Sequence, residues 1–496
     1  MGAMEKASRT VSRRLKGFRD IPAADVLARD RMIAAIRDVY ERYGYIPLET
    51  PALEYVDCLG KFLPEAGQPD GGIFAFKNEE DEWVGLRYDL TAPLSRYVAM
   101  NPELPKPYRR YQIGPVWRVE KPGPGRFREF LQCDFDSVGT ASMLADAECC
   151  MVMCDTMAAL GVPAKDFVVR VNDRKVLNGV LESMGGGGAL PPETSHNVLR
   201  TIDKLDRVGL DGVKALLGSG RKDESGDFTK GVGLRAAQID LVLGYLGIQV
   251  STRSNVCDEL ERLVGESAIG REGVDELRQI DAALTAAGYD DRRVMVEPTV
   301  VRGLAYYTGP VFEGVLTFDI VDEQGTKRPF GSVFGGGRYD DLVERFTGRK
   351  LPATGASIGV DRLLAALQAI GTVDAPTSTA RVLVTRLDKN LTAHYQAIAS
   401  ELRLAGINTE LYVGTQGIGK QFKYAGDSGK IVAIVVGEDE IKSQTVSIKD
   451  LRLGVELSKE IGADRKKWLE QQPAQFSAPR SQLTEAVKKV LLRYAR

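Results

Sequence analysis

The sequence contains very few histidines. Only two, His196 and His394, occur among its 496 residues. Zinc sites built from several histidines, the HExxH pair of metalloproteases and most Ser-His relays need more imidazoles than this chain holds. We therefore expect no central role for protein histidine in whatever chemistry the chain performs.

Paired cysteines and long apolar runs are lacking as well. The six cysteines, at 58, 133, 149, 150, 154 and 257, show no CxxC spacing and are typical of buried thiols in a reducing compartment. No stretch reaches the roughly 18 apolar residues of a membrane span, and residues 1–16 lack the apolar region of a secretion signal. The sequence predicts a soluble, cytoplasmic protein without a membrane partner.

The familiar nucleotide-binding loops are also missing. The sequence has no GxxxxGK[ST], and no GxGxxG follows a predicted strand. If a nucleotide binds to this chain, side chains must hold it.

The charge is nearly balanced but unevenly spread. Lys and Arg number 66 against 68 Asp and Glu, yet residues 381–496 hold 19 basic and 13 acidic side chains, a net charge of +6 against −8 for the rest. Chance variation on a solvated surface explains such an excess, and so does a nucleic-acid partner. The polar segment 371–379 (GTVDAPTST) is a predicted linker before this basic part.

The order of predicted elements indicates the fold class. Helices are predicted over 25–43, ending at Gly44, and over about 142–160; strands dominate from 48 to 138 and return at 294–320. Residues 170–290 are helix-rich with a turn at 185–188, and a helix follows Gly355. This pattern predicts an α+β fold with an antiparallel sheet interrupted by a helical insertion. After the linker, strands and helices alternate, which predicts a small α/β domain with parallel strands.

Residues 111–139 (YQIGPVWRVEKPGPGRFREFLQCDFDSVG) contain the most informative pattern. The turn KPGPG at 121–125 predicts a long hairpin. Alternation on the second arm separates an apolar face from a polar one, which carries Arg128, Phe130, Gln132, Asp134 and Asp136, and Arg118 and Glu120 extend that polar face on the first arm. A solvated outer surface is one interpretation. A phenyl ring between a guanidinium and carboxylates also fits a nucleotide beside a cationic substrate.

Three later segments allow both a structural and a functional interpretation. In 301–313 (VRGLAYYTGPVFE) the tyrosines form either a core pair or part of a pocket, and in 334–341 (FGGGRYDD) the glycines allow either a sharp turn or a close approach. Segment 355–364 (GASIGVDRLL) begins a predicted helix with Arg362 in its first turns. That arginine either extends over the surface or, beside a helix N-terminus, receives a phosphate.

Taken together, these segments resemble the histidyl-tRNA synthetase family of class II aminoacyl-tRNA synthetases over nearly the whole chain. Residues 17–54 resemble the dimer-forming first motif, VWRVEKPGPGRFREFLQCDFDSVG the second and GASIGVDRLL the third. RGLAYYTG at 302–309 and FGGGRYDDL at 334–342 are similar to the two histidine signatures, and LRYDLTAPLSRY at 86–97 is similar to the amino-group loop. The scarcity of histidine agrees with this resemblance, because class I synthetases need a His-Ile-Gly-His tetrapeptide.

The resemblance implies an activity, partners and site residues. The chain would activate L-histidine with ATP, which arrives with Mg²⁺ as a substrate, and would transfer the histidyl group to tRNA(His), acting as a homodimer joined through the first motif, without a tightly bound cofactor or a resident metal. The implied histidine-binding residues are Asp89, Leu90, Thr91, Arg118, Gln132, Asp136, Arg302, Tyr306 and Tyr307. The implied ATP-binding residues are Arg118, Glu120, Phe130 and Arg362, and the implied catalytic residues are Arg118 and Arg302.

One position departs from the family pattern. The family usually has Asp before the two tyrosines of RGLAYYTG, whereas this chain has Ala305. An electrostatic contribution near the substrate imidazole would then be missing or supplied by another group, which affects the detailed role expected of Tyr307.

The resemblance also implies a four-part organisation. We expect a catalytic domain over 1–170 and 291–371, a helical insertion over 171–290 that clamps the tRNA acceptor stem, and a C-terminal α/β anticodon-binding domain over 380–496. In the last domain Lys420, Lys423 and Lys430 are candidate phosphate contacts, and Tyr412 is either a core residue or a base-stacking ring.

Two rival functions fit parts of the pattern. A non-catalytic synthetase-like regulatory subunit of histidine biosynthesis would sense histidine without charging tRNA, but such relatives usually lose the tRNA-reading domain. A biotin or lipoate ligase on the same catalytic fold would leave the C-terminal domain unexplained.

Overall fold

An eight-stranded sheet lies at the centre of the larger part of the chain. The structure is a computed structural model that describes residues 10–60, 72–119, 121, 126–184, 190–222, 226–249, 251–301, 307–321, 327–371, 373, 377–461 and 474–494. The chain divides into two compact units, Arg29–Val373 together with the residues up to Asp20, and Asp374–Arg496 together with Ile21–Ala28. The predicted insertion falls within the first unit, and the four-part division stays a prediction.

The strands of the first unit are β1 (Ile46–Pro47), β2 (Leu53–Tyr55), β3 (Ala75–Lys77), β4 (Trp83–Leu86), β5 (Tyr108–Trp117), β6 (Glu129–Val138), β7 (Phe167–Asp173), β8 (Gly220–Lys222), β9 (Phe228–Lys230), β10 (Val294–Val296), β11 (Pro310–Val321), β12 (Lys327–Arg338) and β13 (Ala353–Gly359). Its helices are α1 (Ala23–Arg42), which begins in the second unit, α2 (Val56–Leu59), α3 (Thr91–Met100), α4 (Met143–Ala159), α5 (Arg174–Met184), α6 (Pro192–Ile202), α7 (Leu205–Leu217), α8 (Ala236–Leu246), α9 (Arg253–Val264), α10 (Ala268–Ala286), α11 (Glu344–Thr347) and α12 (Val360–Ala369).

The large sheet has the strand order β1-β5-β6-β13-β12-β11-β7-β10. The six central strands are antiparallel, as predicted, whereas β1 and β10 pair in parallel at the two edges. Strands β5 and β6 form the predicted hairpin, in register from Tyr108 opposite Val138 to Trp117 opposite Glu129. Helices α5 to α10 lie between β7 and β10 in the sequence, which confirms the helix-rich segment.

One face of this sheet is an aromatic core. The ring of Phe135 lies 4.9 Å from that of Tyr40 and 5.4 Å from that of Tyr45, and all three side chains are buried. Helix α1 supplies Tyr40 and ends at Arg42, two residues before Gly44, whose φ of 78° is the left-handed conformation expected of a glycine after a helix. The helix predicted over 25–43 is therefore confirmed.

Two predicted elements differ from the structure. Residues 91–100, predicted as part of a strand-rich segment, form helix α3, because the Asp89 carboxylate accepts hydrogen bonds from the backbone N–H groups of Thr91 (3.2 Å) and Ala92 (2.9 Å) and so caps its first turn. Residues 355–359, expected to open a helix, complete strand β13, and the helix begins at Val360.

The second unit is a smaller α/β fold. Its strands are β14 (Val382–Val384), β15 (Thr409–Leu411), β16 (Val432–Val435), β17 (Thr445–Asp450) and β18 (Gln475–Pro479), and its helices are α13 (Thr392–Leu404), α14 (Ile418–Asp427), α15 (Glu438–Ser443), α16 (Leu451–Ile461) and α17 (Leu483–Leu492). The order is β15-β14-β16-β17-β18. The first three strands are parallel, as predicted, whereas β17 and β18 are antiparallel. Among the described residues, no helix is long and apolar enough to span a membrane.

Candidate active site

The face of the sheet opposite the aromatic core carries buried polar side chains. On β6, Gln132, Asp134 and Asp136 alternate with the buried apolar residues Cys133 and Phe135. Across the two neighbouring strands, this polar row meets Arg110, Gln112 and Gly114 of β5 and Gly355, Ser357 and Gly359 of β13. The structure therefore brings predicted site residues from the hairpin together with residues of β13.

Asp136 is held by two groups that the sequence did not identify. The fully buried Arg110 places its Nη2 2.8 Å from Oδ2 of Asp136, and the Tyr339 hydroxyl donates a hydrogen bond to Oδ1. Burial raises the pKa of Asp136, although Arg110 and Tyr339 act in the opposite direction. Alternation along β5 could have identified Arg110, because positions 110 and 118 are an even number of residues apart and therefore lie on the same face. No sequence pattern joined Tyr339 to Asp136.

Glycine at 355 is required by the position of Asp136. A Cβ at this position would lie 2.3 Å from Oδ1 of Asp136 and 2.4 Å from the carbonyl oxygen of Phe135. Any side chain would displace the carboxylate or the neighbouring strand.

The segment 89–91 borders this polar row. Arg110 donates from Nη2 to the carbonyl oxygen of Leu90 at 2.9 Å, which fixes the segment against β5. Burial raises the pKa of Asp89, and the N–H groups that it caps and the nearby Arg118 lower it. Leu90 is fully buried and Thr91 opens α3. The three predicted residues therefore do lie together beside the hairpin.

Gln132 leaves one acceptor without a partner. Its Nε2 donates to the Ser357 hydroxyl at 2.7 Å, while Oε1 is buried and has no hydrogen-bond partner in the described part of the chain. Asp134, directly opposite Ser357, has an equally unpartnered Oδ1 among the described residues. Burial raises the pKa of Asp134 to about 7.

Arg118 and Phe130 form an adjacent platform. The Arg118 guanidinium carbon lies 5.2 Å from the centroid of the Phe130 ring, and its Nε donates to the carbonyl oxygen of Tyr88 at 3.0 Å. Both side chains are half-buried. A half-buried cation beside an open aromatic face can take a phosphate and a base together.

Arg362 lies in the first turn of α12, as predicted. Its Nη2 donates to the carbonyl oxygen of Phe330 at 2.8 Å, and its guanidinium carbon lies 5.4 Å from the centroid of that residue's ring. Asp361, the residue before it, accepts from the backbone N–H of Leu131 at 2.7 Å and from Arg19. The bond from Leu131 attaches the start of α12 to the hairpin that carries Gln132.

Of the predicted site residues in the RGLAYYTG signature, Tyr307 is the one that lies within the described part of the chain. It is half-buried and lies against β12, where a Cβ at Gly337 would come within 2.8 Å of its ring. Glu120, Arg302, Ala305 and Tyr306 lie outside the described residues. In the described part of the chain, no group of three or more His, Cys, Asp or Glu side chains is arranged to hold a metal ion.

The basic candidates of the second unit differ in exposure. Lys420 and Lys423 are exposed on α14. Lys430 is buried and places its Nζ 2.5 Å from Oε2 of Glu410, so its expected contact with phosphate is wrong. Tyr412 is half-buried and packs edge-on against the exposed Tyr424, with 5.6 Å between the ring centroids, outside the buried core cluster of the second unit, so the choice between a core residue and a base-stacking ring stays a prediction.

Two family models match the chain. Residues 17–363 match the model described as histidyl-tRNA synthetase, and residues 381–463 match an anticodon binding domain. The polar row, the Arg118–Phe130 platform and Arg362 all lie within the first match.

Individual relatives match over the whole length. The chain is 49% identical to a histidine-tRNA ligase from Roseobacter denitrificans, over 100% of this chain and 99% of the relative, and 51% identical to one from Cereibacter sphaeroides, over 99% and 100%. Among solved structures it is similar to a histidyl-tRNA synthetase from Nostoc sp. PCC 7120, with 28% identity and a TM-score of 0.77 over 97% of this chain and 100% of that one.

Proposed function

Because the chain belongs to the histidyl-tRNA synthetase family, we propose that it activates L-histidine with ATP and transfers the histidyl group to the 3′ end of tRNA(His). The observation that carries this proposal is the buried polar row of Gln132, Asp134 and Asp136 beside the Arg118–Phe130 platform. An amino acid with a cationic group and a nucleotide fit side by side on such a surface.

The carboxylates of the row are suited to a cationic substrate. Burial raises the pKa values of Asp89, Asp134 and Asp136, with Arg110 as the buried counter-charge. A bound ammonium group restores a favourable environment to these carboxylates. We assign the α-ammonium to Asp89, Thr91 and the free Oε1 of Gln132, with Leu90 in the same segment.

Recognition of the imidazole is assigned to Asp136 and to the tyrosines of the RGLAYYTG segment. Tyr339 and Arg110 hold the Asp136 carboxylate in one orientation. A carboxylate and a phenol, here Asp136 and Tyr307, read the two ring nitrogens as a donor and an acceptor, and a side chain without such nitrogens would leave buried polar groups unpaired. Tyr306 is the remaining residue assigned to the histidine site.

The chemistry requires positioning and charge neutralisation. The histidine carboxylate attacks the α-phosphorus of ATP and pyrophosphate leaves, so that histidyl-adenylate forms. A ribose hydroxyl of the tRNA then attacks the acyl carbon and AMP leaves. In the first step the nucleophile is already a carboxylate and needs no general base, so aligned arginines carry most of the catalysis of that step. In the second step the attacking hydroxyl loses its proton as AMP leaves.

We assign the ATP-binding roles to residues of the Arg118–Phe130 platform and its surroundings. Arg118 and Arg302 neutralise the substrate carboxylate and the α-phosphate, Phe130 stacks the adenine, Glu120 contacts its amino group or the neighbouring loop, and Arg362 holds the γ-phosphate. Mg²⁺ enters with ATP as part of the substrate. Arg362 is already held at the start of α12 by the Phe330 carbonyl.

The tRNA is proposed to contact both units. In the second unit Lys420 and Lys423 are exposed on α14. In the insertion, an open cavity of about 680 Å³ is lined in part by Arg200, Lys204 and Lys230, a suitable surface for the phosphates of the acceptor stem.

We further propose a cytoplasmic homodimer joined through the first motif. Two apolar side chains of the first motif are strongly exposed, Ile46 at 53% and Leu53 at 45%, and so is Tyr55, directly after the motif, at 48%. These exposed apolar side chains would be available for burial in an interface between two copies of the chain.

Charging of tRNA tests the function and separates it from the regulatory alternative. We expect the purified protein to attach labelled histidine to tRNA(His) in an ATP-dependent reaction, and the K420A/K423A double variant to raise the KM for tRNA while histidine-dependent pyrophosphate exchange stays unchanged. K442A, an exposed lysine on α15, serves as the control. Binding of histidine without any charging would instead support the regulatory subunit, which relatives named ligases at about half identity do not favour.

A further inference from the structure

Asp134, to which no substrate group is assigned above, lies two residues from Gln132 on the same face of β6. Asp134 is 2% exposed and stands opposite Ser357 in the pairing of β6 with β13. Ser357 stands directly opposite Asp134, and its hydroxyl oxygen accepts from Gln132 Nε2 at 2.7 Å, so its own proton is available to the neighbouring carboxylate; the contact with Ser357 lowers the pKa of Asp134. The three side chains are therefore neighbours in a short chain, in the order Gln132, Ser357, Asp134.

The direction of every hydrogen bond in this chain follows from counting protons. An ionised carboxylate only accepts, so the single proton of the Ser357 hydroxyl is directed to Asp134. The Ser357 oxygen can then only accept from Gln132, which requires the NH₂ side of the amide. The Gln132 carbonyl oxygen is left as the free group, in agreement with its lack of a partner among the described residues.

We propose that Asp134 is a positioning residue for substrate histidine, which acts through Ser357 to hold the Gln132 amide with its oxygen toward the α-ammonium. The inference rests on the proposed function, since it requires that Gln132 bind this ammonium group. If the Ser357 proton were directed to Gln132 instead, the amide would turn and present two N–H donors to a cation.

The ionisation of Asp134 gives the device a pH dependence. Burial raises the pKa of Asp134 to about 7; the nearby Arg110 lowers it, and the carboxylates of Asp136 and Asp89 raise it further. Arg87 also faces this carboxylate, and Ser357 faces it from β13. As the pH falls through about 7, the Asp134 carboxyl gains a proton, and the Ser357 hydroxyl is then no longer required to donate its own proton to Asp134.

The test compares the KM for histidine and for ATP in pyrophosphate exchange. Asp134→Asn keeps the shape but removes the obligatory acceptor, and Ser357→Ala removes the relay. We expect each to raise the KM for histidine about tenfold, as for a weakened charge-assisted hydrogen bond, with less than a twofold change in the KM for ATP. The double variant should be no worse than Ser357→Ala alone, because both changes break one chain.

The pH profile gives a second readout that a structural defect would not produce. We divide kcat/KM for histidine of the wild type by that of Asp134→Asn, so that titration of the substrate imidazole, which is common to both proteins, cancels. This ratio should rise from pH 6 to 8, as Asp134 of the wild type ionises, and then level off. The inference would be overturned if the KM for histidine were unchanged in both single variants. It would also be overturned if the two increases in KM multiplied in the double variant, or if the ratio of kcat/KM did not change with pH. Failure of the proposed function looks different, since the wild type itself would then show no histidine-dependent exchange.

Discussion

The two faces of strand β6 differ in what they contribute. Toward α1, Cys133 and Phe135 lie in a buried aromatic core with Tyr40. Toward α3, Gln132, Asp134 and Asp136 are just as buried, but oxygens of Gln132 and Asp134 lack partners within the described residues. Burying charge costs stability unless it is fully paired. The first face therefore stabilises the sheet, and the second gives up stability to keep groups ready for a substrate.

Removal of the buried counter-charge should have the largest effect. Arg110→Ala leaves Asp136 buried without its cation, and we expect the free energy of unfolding to fall by about 3–5 kcal/mol. Its sequence neighbour Arg109, half-exposed beside Glu148 and 4.4 Å from the centroid of the Tyr45 ring, is the control, and Arg109→Ala should cost about 1 kcal/mol. Equal losses in denaturant unfolding would show that the two faces do not differ in this way.

Loss of the arginine on the platform should separate activity from stability. Arg118→Ala removes a positioned cation, and we expect pyrophosphate exchange to fall about 100-fold with little change in the unfolding midpoint, because the side chain is only half-buried. Arg349→Ala, an exposed arginine of the same unit, should exchange at the wild-type rate. An Arg118→Ala protein with normal exchange would remove this residue from the site.

A methyl group placed beside Asp136 should sharpen the comparison. The added Cβ of Gly355→Ala would lie 2.3 Å from Oδ1 of Asp136 and 2.4 Å from the carbonyl oxygen of Phe135. The Asp136 carboxylate or strand β6 must therefore move, and we expect the KM for histidine to rise about tenfold, the cost of one displaced hydrogen bond to a charged group. Gly359→Ala on the same strand, where the nearest atom is 3.9 Å away, should change the KM less than twofold. A normal KM in Gly355→Ala would contradict the assignment of Asp136.

The two faces should also differ in how stability depends on pH, and the change in the free energy of unfolding between two neighbouring pH values is the smallest of these effects. The folded pKa of Asp134 is about 7, above the unfolded value of about 3.9. Between these values the folded state binds more protons than the unfolded state, so Asp134 makes the protein less stable as the pH rises from about 4 to 7, by at most about 1.4 kcal/mol per pH unit. Asp134→Asn should reduce this slope in urea titrations at several pH values, whereas Cys133→Ala should lower stability by the same amount at each pH.

The sequence predicted the features that depend on local pattern. The periodicity of residues 25–43, the Pro- and Gly-rich turn between β5 and β6, and the alternation on β6 each identified an element before its partners were known. Family motifs then identified Asp89, Gln132 and Arg362. In the structure Asp89 lies near Arg118, and the neighbours of the other two residues are bonded to each other, Leu131 to Asp361.

Features that depend on register or on partners distant in the sequence were not predicted. Arg110, Tyr339 and Ser357 enter the site only because β5, β12 and β13 bring them next to β6. Helix α3 was missed because its start depends on the cap from Asp89. The burial of Lys430 against Glu410 depends on packing that a count of basic residues does not contain.

A single panel tests most directly whether the polar face of β6 is a histidine site. Pyrophosphate exchange into ATP is measured with the wild type and with Asp136→Asn in the presence of each of the twenty amino acids. We expect the wild type to exchange with histidine alone, and Asp136→Asn to lose most of that activity while it remains folded. Exchange with another amino acid, or full histidine-dependent exchange by Asp136→Asn, would contradict the account.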